Sequence, residues 1–145
     1  MSLPQGRVLG IDLGDARIGL AVSDPLGLTA QPLGYVAGGG RAASVARIAA
    51  AVRANEAVAV VIGHPRLMSG ASGDRAVAAE AFAAALGKVV DVPVLLWDER
   101  LTTVAAQRTL VEGGVRRRRR REVVDAIAAA LILQGWLDRQ RSSST

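Results

Sequence analysis

Three short, mostly apolar runs lie near the start of the chain and are separated by turn residues. The runs are RVLGIDL (7–13), ARIGLAVSD (16–24) and LTAQPLGYV (28–36). Gly14-Asp15 and the stretch from Pro25 to Gly27 supply short turns, so the pattern predicts three strands in an antiparallel meander. Pro32 has no N–H for the strand ladder, which predicts that the third strand lies at an edge or contains a bulge.

The pattern changes after residue 40, where helical spacing and apolar runs alternate. Val45, Ile48, Ala49 and Val52 lie at helical spacing and predict a helix over 41–56. The later predicted elements are a strand over 57–63, a loop over 64–73, a helix over 74–88, a strand over 92–99, a helix over 103–112 and a final helix over about 120–139. Continuously apolar strands of this kind are typical of the centre of a sheet that is covered on both faces.

The order of elements, β-β-β-α-β-α-β-α-α, predicts the fold class. It favours an α/β protein with a mixed five-stranded sheet, an antiparallel meander followed by parallel strands, and helices on both faces. Gly87 is the expected C-cap of the 74–88 helix, while Thr102 and Thr103 are candidate N-caps for the helix that Gly113-Gly114 would close. The 145 residues suit a single domain over 1–145, with a frayed tail over 139–145.

Composition narrows the class of protein. Half of the residues are hydrophobic, which is ample for a packed interior, and aromatics make up only 3%, which argues against a binder that stacks bases on rows of aromatics. The absence of cysteine excludes disulfides and thiolate metal sites. The N-terminus lacks the apolar core of a secretory signal, and no apolar run reaches membrane-spanning length, so a cytoplasmic protein without a membrane partner is expected.

Arginine accounts for seventeen of the eighteen basic residues, and the net charge is +5. The planar guanidinium suits phosphate better than an ammonium group does. Six arginines stand together just before the last apolar segment: Arg116, Arg117, Arg118, Arg119, Arg120 and Arg121. This run is either a solvated, like-charged loop or a contact with a nucleic-acid backbone, and the acidic residues favour the second interpretation.

Four carboxylates stand at the margins of apolar elements. Asp12 lies in the first strand, Asp98 and Glu99 lie where the last strand ends, and Asp125 lies in the first turns of an otherwise apolar helix. Three of the four have a purely structural explanation when taken alone. Asp12 could form an Asx turn, Glu99 could pair with an arginine, and Asp125 could favour the positive end of its helix.

Together, the same carboxylates predict a metal site. They would converge if the first and last strands are neighbours and the final helix packs across them. Clustered carboxylates repel one another and need cations, and oxygen ligands select Mg²⁺ or Mn²⁺. Two such ions about 4 Å apart would clamp the attacking water and the leaving oxygen of a phosphodiester.

Four motifs resemble those of the YqgF/RuvX family of Holliday-junction resolvases or pre-16S rRNA nucleases. They are GIDLGDARIGLAVSD (10–24), GHPRLMSG (63–70), WDERLTT (97–103) and DAIAAALILQGWL (125–137). The resemblance implies an RNase H-like fold and a metal-dependent nuclease in which Asp12, Glu99 and Asp125 hold the ions. Asp98 is the alternative to Glu99, since neighbours on a strand point to opposite faces and only one would enter the site.

The resemblance also bears on the arginines outside the run. Arg17 and Arg100 match arginines of the family motifs, and Arg17 is expected either to contact phosphate or to form a structural ion pair. The 63–70 loop departs from the family pattern, which commonly reads like GLPLNMDG, and it gains His64 and Arg66. Arg66 and Arg100 join the candidate nucleic-acid contacts, whereas His64 either positions a water or phosphate or is an exposed loop residue.

The expected activity is in-line hydrolysis of a phosphodiester by a monomer or a homodimer. Precursor 16S ribosomal RNA, single strands and branched DNA are all compatible substrates. A non-catalytic nucleic-acid-binding factor for ribosome biogenesis or transcription is the main alternative, because arginine richness alone would serve it. A phosphotransferase of the actin and sugar-kinase type shares the GIDLG strand and turn, but it clamps its nucleotide between two domains, and this chain has room for one.

Overall fold

The computed structural model describes residues 5–14, 16–66, 69–70, 73–101 and 117–143, the last range with side chains from 125 to 142. Within these ranges five strands and three α-helices follow one another, and a short 3₁₀ helix follows the last strand. Their bounds are β1 Val8–Leu13, β2 Arg17–Ser23, β3 Ala30–Ala37, α1 Arg41–Ala54, β4 Ala59–His64, α2 Asp74–Gly87, β5 Val94–Asp98, the 3₁₀ helix Glu99–Leu101, and α3 Arg117–Ser143.

The strands form one mixed sheet in the order β3-β2-β1-β4-β5. The first three strands pair antiparallel, and β4 and β5 then add in parallel on the other side of β1. Parallel neighbours need crossover connections, which α1 and α2 supply on one face of the sheet, while α3 covers the other face. The predicted α/β class and the five-stranded mixed sheet with helices on both faces are confirmed.

The side chains of β1 alternate between the two faces, and this fixes where Asp12 points. Leu9 and Ile11 are fully buried in the core formed with α1 and α2. A Cβ added at Gly10 would lie 2.7 Å from the Cβ of Leu133 in α3. Because successive side chains of a strand point to opposite faces, Asp12 belongs with Gly10 on the α3 face.

The strand β3 lies at the edge of the sheet and is irregular at Pro32, as predicted. Leu20 pairs with Gly34 and Ala21 pairs with Pro32, so the register skips Leu33. Gly34 has a φ of +119°, which L side chains rarely adopt, and it allows the extra residue to bulge outward.

Asp24 organises the loop between β2 and β3. Its carboxylate accepts backbone N–H bonds from Thr29 at 2.7 Å, Leu28 at 2.8 Å and Leu26 at 3.1 Å. These bonds, the one from Thr29 first, hold the pKa of Asp24 below its usual range.

The end of α2 differs from the prediction. Gly87 is the last helical residue and Lys88 is the C-cap, in a right-handed conformation, so the predicted C-cap at Gly87 is wrong. The final carbonyls are satisfied without a left-handed residue, because Lys88 donates its N–H to Ala85 at 3.3 Å and Val89 donates its N–H to Leu86 at 3.0 Å.

The last helix is longer at both ends than the predicted 120–139. It runs from Arg117 through Ser143, so residues 139–143 of the expected frayed tail are helical. Its C-terminal half is anchored near the β2–β3 loop, where the Gln134 side-chain oxygen accepts from the N–H of Ala30 at 2.9 Å and its side-chain nitrogen donates to the carbonyl of Leu28 at 3.0 Å. The predicted helix over 103–112, with its caps, lies outside the described residues. Among the described helices, none combines the length and apolar character that crossing a bilayer requires.

Candidate active site

Asp12 is a buried carboxylate in the central strand of the sheet, with 5% of its surface exposed. In β2 it stands opposite Gly19. In β4 its neighbour is Gly63, because Ile11 and Ile62 are paired in parallel register one residue earlier. The Asp12 side chain is therefore flanked on both sides by positions that carry no side chain.

Gly19 is the position on which Asp125 rests. A Cβ added at Gly19 would lie 2.0 Å from the backbone oxygen of Asp125 and 3.1 Å from its Cβ. Only glycine permits so close an approach of α3 to the sheet. Since Gly19 is the register partner of Asp12, the helix brings Asp125 next to the strand pair that carries Asp12.

Glu99 reaches the same face from the end of β5. A Cβ added at Gly63 would lie 3.1 Å from Oε2 of Glu99 and 2.6 Å from Cδ1 of Ile132 in α3. The Glu99 carboxylate thus lies over Gly63, the neighbour of Asp12 in β4. The expectation that the first and last strands are neighbours is wrong, because β4 lies between β1 and β5. Glu99 reaches over β4, so the three carboxylates of the predicted metal site still lie on the α3 face.

Asp98 is engaged elsewhere. In β4 its register partner is His64, whose side chain contacts α2. The preceding residue, Trp97, packs against α3, so Asp98 points to the opposite face of the sheet. The Arg100 side chain bonds its carboxylate at 2.7–3.1 Å, and the backbone N–H of Arg100 adds a bond of 2.9 Å. These bonds, and the nearby charge of Arg66, hold the pKa of Asp98 below its usual range.

Arg17 forms an ion pair with Asp125. Its Nε donates to Oδ2 of Asp125 at 2.8 Å, across 108 residues of chain. Its guanidinium also lies over the ring of Tyr35, with Cζ 5.7 Å from the ring centroid. Of the two roles expected for Arg17, the structure displays the ion pair.

The other predicted nucleic-acid contacts are dispersed. Arg100 binds Asp98, and Arg66 donates to the backbone carbonyl of Gly70 in its own loop. Arg116 lies outside the described residues. The backbone of Arg117 to Arg121 belongs to α3 and not to a loop, while the side chains of these five residues are outside the description.

His64 is the last residue of β4 and faces α2. Its Nε2 lies 2.6 Å from Oε2 of Glu80, and only 14% of its side chain is exposed. Glu80 was not singled out from the sequence, because nothing in the spacing of α2 marks it as the partner of a residue sixteen positions away. The pair lies on the face opposite the three carboxylates, so His64 is not an exposed loop residue and does not join them.

Comparison with known proteins identifies the family. The model of the family described as RuvX: Holliday junction resolvase matches residues 6–139. The chain belongs to the RuvX family. It is 50% identical over 135 residues to a protein of Pelotomaculum thermopropionicum, covering 92% of this chain and 88% of that one. It is also 50% identical over 139 residues to a protein of Myxococcus xanthus, covering 96% and 92%.

Both relatives of this RuvX-family chain carry the name "Putative pre-16S rRNA nuclease". Among solved structures, RuvC of Thermus thermophilus in complex with a Holliday junction substrate superimposes with a TM-score of 0.60 at 18% identity, covering 92% of this chain and 96% of that one. This likeness confirms the RNase H-like fold. The family match confirms the resemblance seen in the sequence motifs and indicates a hydrolase that acts on nucleic acid.

Two aromatic residues, Tyr35 and Trp97, lie beside the site of this RuvX-family protein, although no sequence motif marks them. Tyr35 is the register partner of Gly19 and carries the Arg17 guanidinium. Trp97 is the register partner of Gly63, and its indole Nε1 is the one buried side-chain nitrogen or oxygen without a hydrogen-bond partner in the described part of the chain. The glycines opposite them were the available signal, because glycine inside a strand marks the close approach of another chain segment or ligand.

The donor set suits hard cations in its chemistry, since three carboxylates offer oxygen ligands. In the structure, the Arg17 guanidinium forms an ion pair with the Asp125 carboxylate. Within the described residues, no three His, Asp or Glu side chains are grouped so that they could hold one ion.

Proposed function

We propose that this protein is a metal-dependent nuclease that hydrolyses phosphodiester bonds, with the 5′ end of precursor 16S ribosomal RNA, Holliday junctions or single strands as substrates. The observation that carries the proposal is the placement of Asp12, Glu99 and Asp125 on one sheet face over glycines. The names of the relatives and the junction-bound RuvC support it.

In this proposal Asp12, Glu99 and Asp125 would hold Mg²⁺ or Mn²⁺. A pair of such ions lowers the pKa of a bound water and stabilises the departing oxygen. Asp12 is buried in the central strand of the sheet, with 5% of its surface exposed. Asp98 is not part of the ligand set that we propose, because its side chain points to the face of the sheet opposite α3.

The arginines supply the phosphate contacts in the proposal. The run Arg116 to Arg121 lies close in sequence before Asp125, so its guanidinium groups would hold the backbone near the site. Binding through phosphates carries little sequence information and weakens steeply as salt rises. We further propose one domain over 1–145 that acts in the cytoplasm as a monomer or homodimer.

The second candidate is a non-catalytic nucleic-acid-binding factor for ribosome biogenesis or transcription. One observation favours it: the Asp125 carboxylate is engaged by Arg17, as a structural ion pair would be. The two candidates differ in what Asp12→Asn does. A nuclease loses cleavage while it keeps its fold, whereas a binding factor keeps every property that depends on the arginines.

The deciding experiment compares cleavage of a structured RNA spanning the 16S 5′ end, a single strand and a four-way DNA junction, each with Mg²⁺ or Mn²⁺. Asp12→Asn and Glu99→Gln are expected to lose at least about 100-fold in rate, since removal of one strongly acting catalytic group typically costs that much. Asp138→Asn is the matched control, because Asp138 is an exposed carboxylate of the same helix as Asp125. Equal cleavage by wild type and Asp12→Asn contradicts the proposal and exposes a contaminating nuclease.

A further inference from the structure

The ion pair between Arg17 and Asp125 joins two groups that the proposed function needs for other purposes. Asp125 is one of the three carboxylates proposed to hold a cation, and Arg17 lies at the border of the same face. Their side chains are 27% and 20% exposed, so water and small ions reach the pair. The bond of 2.8 Å therefore sits where a cation and a substrate would both arrive.

A guanidinium and a divalent cation compete for a carboxylate. Each is attracted by the same negative charge, and each lowers the attraction of that charge for the other. The structure has Arg17 on Asp125, and in its described part no three acidic or histidine side chains are grouped to hold an ion. The ion pair thus engages the carboxylate that the proposed function assigns to a cation, so Arg17 would compete with that cation.

Tyr35 gives the guanidinium a second support. The ring lies below Arg17 with 5.7 Å between Cζ and the ring centroid, and Tyr35 is 43% exposed at the edge strand. A guanidinium over an aromatic face keeps its in-plane N–H groups available for other acceptors. Arg17 can therefore leave Asp125, stay beside the site, and donate to a phosphate oxygen.

We propose that Arg17 is a positioning residue that exchanges partners: it neutralises Asp125 in the cation-free protein and donates to the substrate backbone in the cation-loaded protein. The inference rests on the proposed function, because it takes Asp125 as a cation ligand. A cation at Asp125 releases Arg17 for the substrate backbone, and a substrate phosphate bound by Arg17 frees Asp125 for the cation. Cation binding and nucleic-acid binding therefore favour each other.

The first test measures cation binding without catalysis. Calorimetric titration with Mn²⁺ alone is expected to show about fivefold tighter binding to Arg17→Gln than to wild type, the equivalent of ~1 kcal/mol for loss of a partly exposed ion pair. Arg53→Gln is the matched control, since Arg53 is an exposed arginine at the end of α1 on the other side of the sheet. It removes the same charge and is expected to change the affinity less than about twofold.

The second test follows Arg17 directly in the wild-type protein, so it does not depend on how the variant folds. The Nε–H resonance of Arg17 is assigned by its absence in Arg17→Lys, and Mg²⁺ is then added. The resonance is expected to shift and to saturate at the Mg²⁺ dissociation constant that calorimetry gives. An Arg17 resonance that stays in place while Mg²⁺ binds overturns the exchange and leaves the proposed function standing. If neither protein binds Mg²⁺ or Mn²⁺, the metal part of the proposed function fails as well.

The third test concerns the substrate side. Anisotropy of a labelled single strand is measured with Ca²⁺ and with chelator, for wild type and Arg17→Gln. Arg17→Gln is expected to weaken binding several-fold in Ca²⁺ and to leave it unchanged in chelator, because Arg17 is engaged with Asp125 there. Equal weakening in both conditions overturns the inference, since Arg17 would then contact the strand whether or not a cation is bound.

Discussion

Gly19→Ala tests whether the approach of α3 to β2 places Asp125 beside Asp12. In the structure, the new methyl group would lie 2.0 Å from the backbone oxygen of Asp125 and 2.5 Å from its carbonyl carbon. Ordinary van der Waals contact begins at 3.4 Å, so the helix must retreat by about 1.4 Å. The obstacle is backbone and not a flexible side chain, which leaves no local rearrangement that would relieve it.

The magnitudes follow from this overlap. Insertion of a methyl group into a packed interior costs about 1–3 kcal/mol of the free energy of unfolding, which corresponds to a loss of roughly 3–10 °C in Tm for a chain of this size. The displacement also moves Asp125 relative to Asp12. An error of about 1 Å in a catalytic group costs about 100-fold in rate, so cleavage should fall further than the loss of stability explains.

Gly87→Ala is the matched control, because a Cβ at Gly87, the last residue of α2, meets nothing within 4 Å. This change is expected to be neutral or to stabilise by up to about 1 kcal/mol. Thermal unfolding by circular dichroism and the cleavage assay at a temperature well below both transitions give the two readouts. If Gly19→Ala melts and cleaves like wild type, α3 does not cross β2 at this point and the site as described is wrong.

The remaining predictions concern charge. Glu99→Gln should lose cleavage at least about 100-fold while Asp98→Asn keeps it within about tenfold, and the reverse order would exchange their roles. His64→Ala should change cleavage less than about threefold, since its side chain faces α2; a 100-fold loss would contradict this. The pKa of Asp24 is lowered in the folded protein, so the ionised carboxylate stabilises the fold above about pH 4 and this contribution is lost as pH falls through the folded pKa. The free energy of unfolding of Asp24→Asn should lack this pH dependence. Replacement of Arg116–Arg121 by Gln should flatten the salt dependence of nucleic-acid affinity, and an unchanged slope would show that the run makes no backbone contact.

The sheet could be predicted from the sequence because strand signals are local. Alternating or continuous apolar runs bounded by glycine and proline identify each strand, and Pro32 indicates where the edge and its bulge lie. Because neighbouring residues of a strand point to opposite faces of the sheet, the sequence also indicates that only one of Asp98 and Glu99 would enter the site. These inferences use neighbours in sequence, and the structure agrees with them.

The contacts of α3 could not be predicted, because they depend on how one helix packs across four strands, β1 to β4. Gly19 and Gly63 signal in the sequence only that some group approaches their strands, and the structure is needed to show that Asp125 and Glu99 are the groups that rest on them. The error at Gly87 has a related cause. Glycine near the end of a helix favours a left-handed cap, but Gly87 is the last helical residue of α2 and Lys88 follows as a right-handed C-cap.

The helix-dipole explanation for Asp125 and the Asx-turn explanation for Asp12 both depend on local backbone geometry. A helix dipole favours a carboxylate only within the first turn, but α3 begins at Arg117, eight residues before Asp125. An Asx turn from Asp12 to Gly14 would use the Gly14 N–H, which donates instead to the carbonyl of Arg17 at 3.0 Å. The helix-dipole explanation for Asp125 and the Asx turn from Asp12 to Gly14 are thereby removed, whereas an Asx turn from Asp12 to Asp15 lies outside the described residues.

The explanation for Glu99 as the ion-pair partner of the adjacent arginine weakens in the same way. Arg100 directs its guanidinium to Asp98, with bonds of 2.7–3.1 Å, while Glu99 extends over Gly63 on the other face. The sequence spends two glycines inside strands to bring Glu99 and Asp125 toward a buried Asp12, although glycine in a strand lowers stability. Gly19 admits the backbone of α3 at Asp125, and Gly63 admits Ile132 and the Glu99 carboxylate, so both glycines permit the close approach on which the proposed site depends.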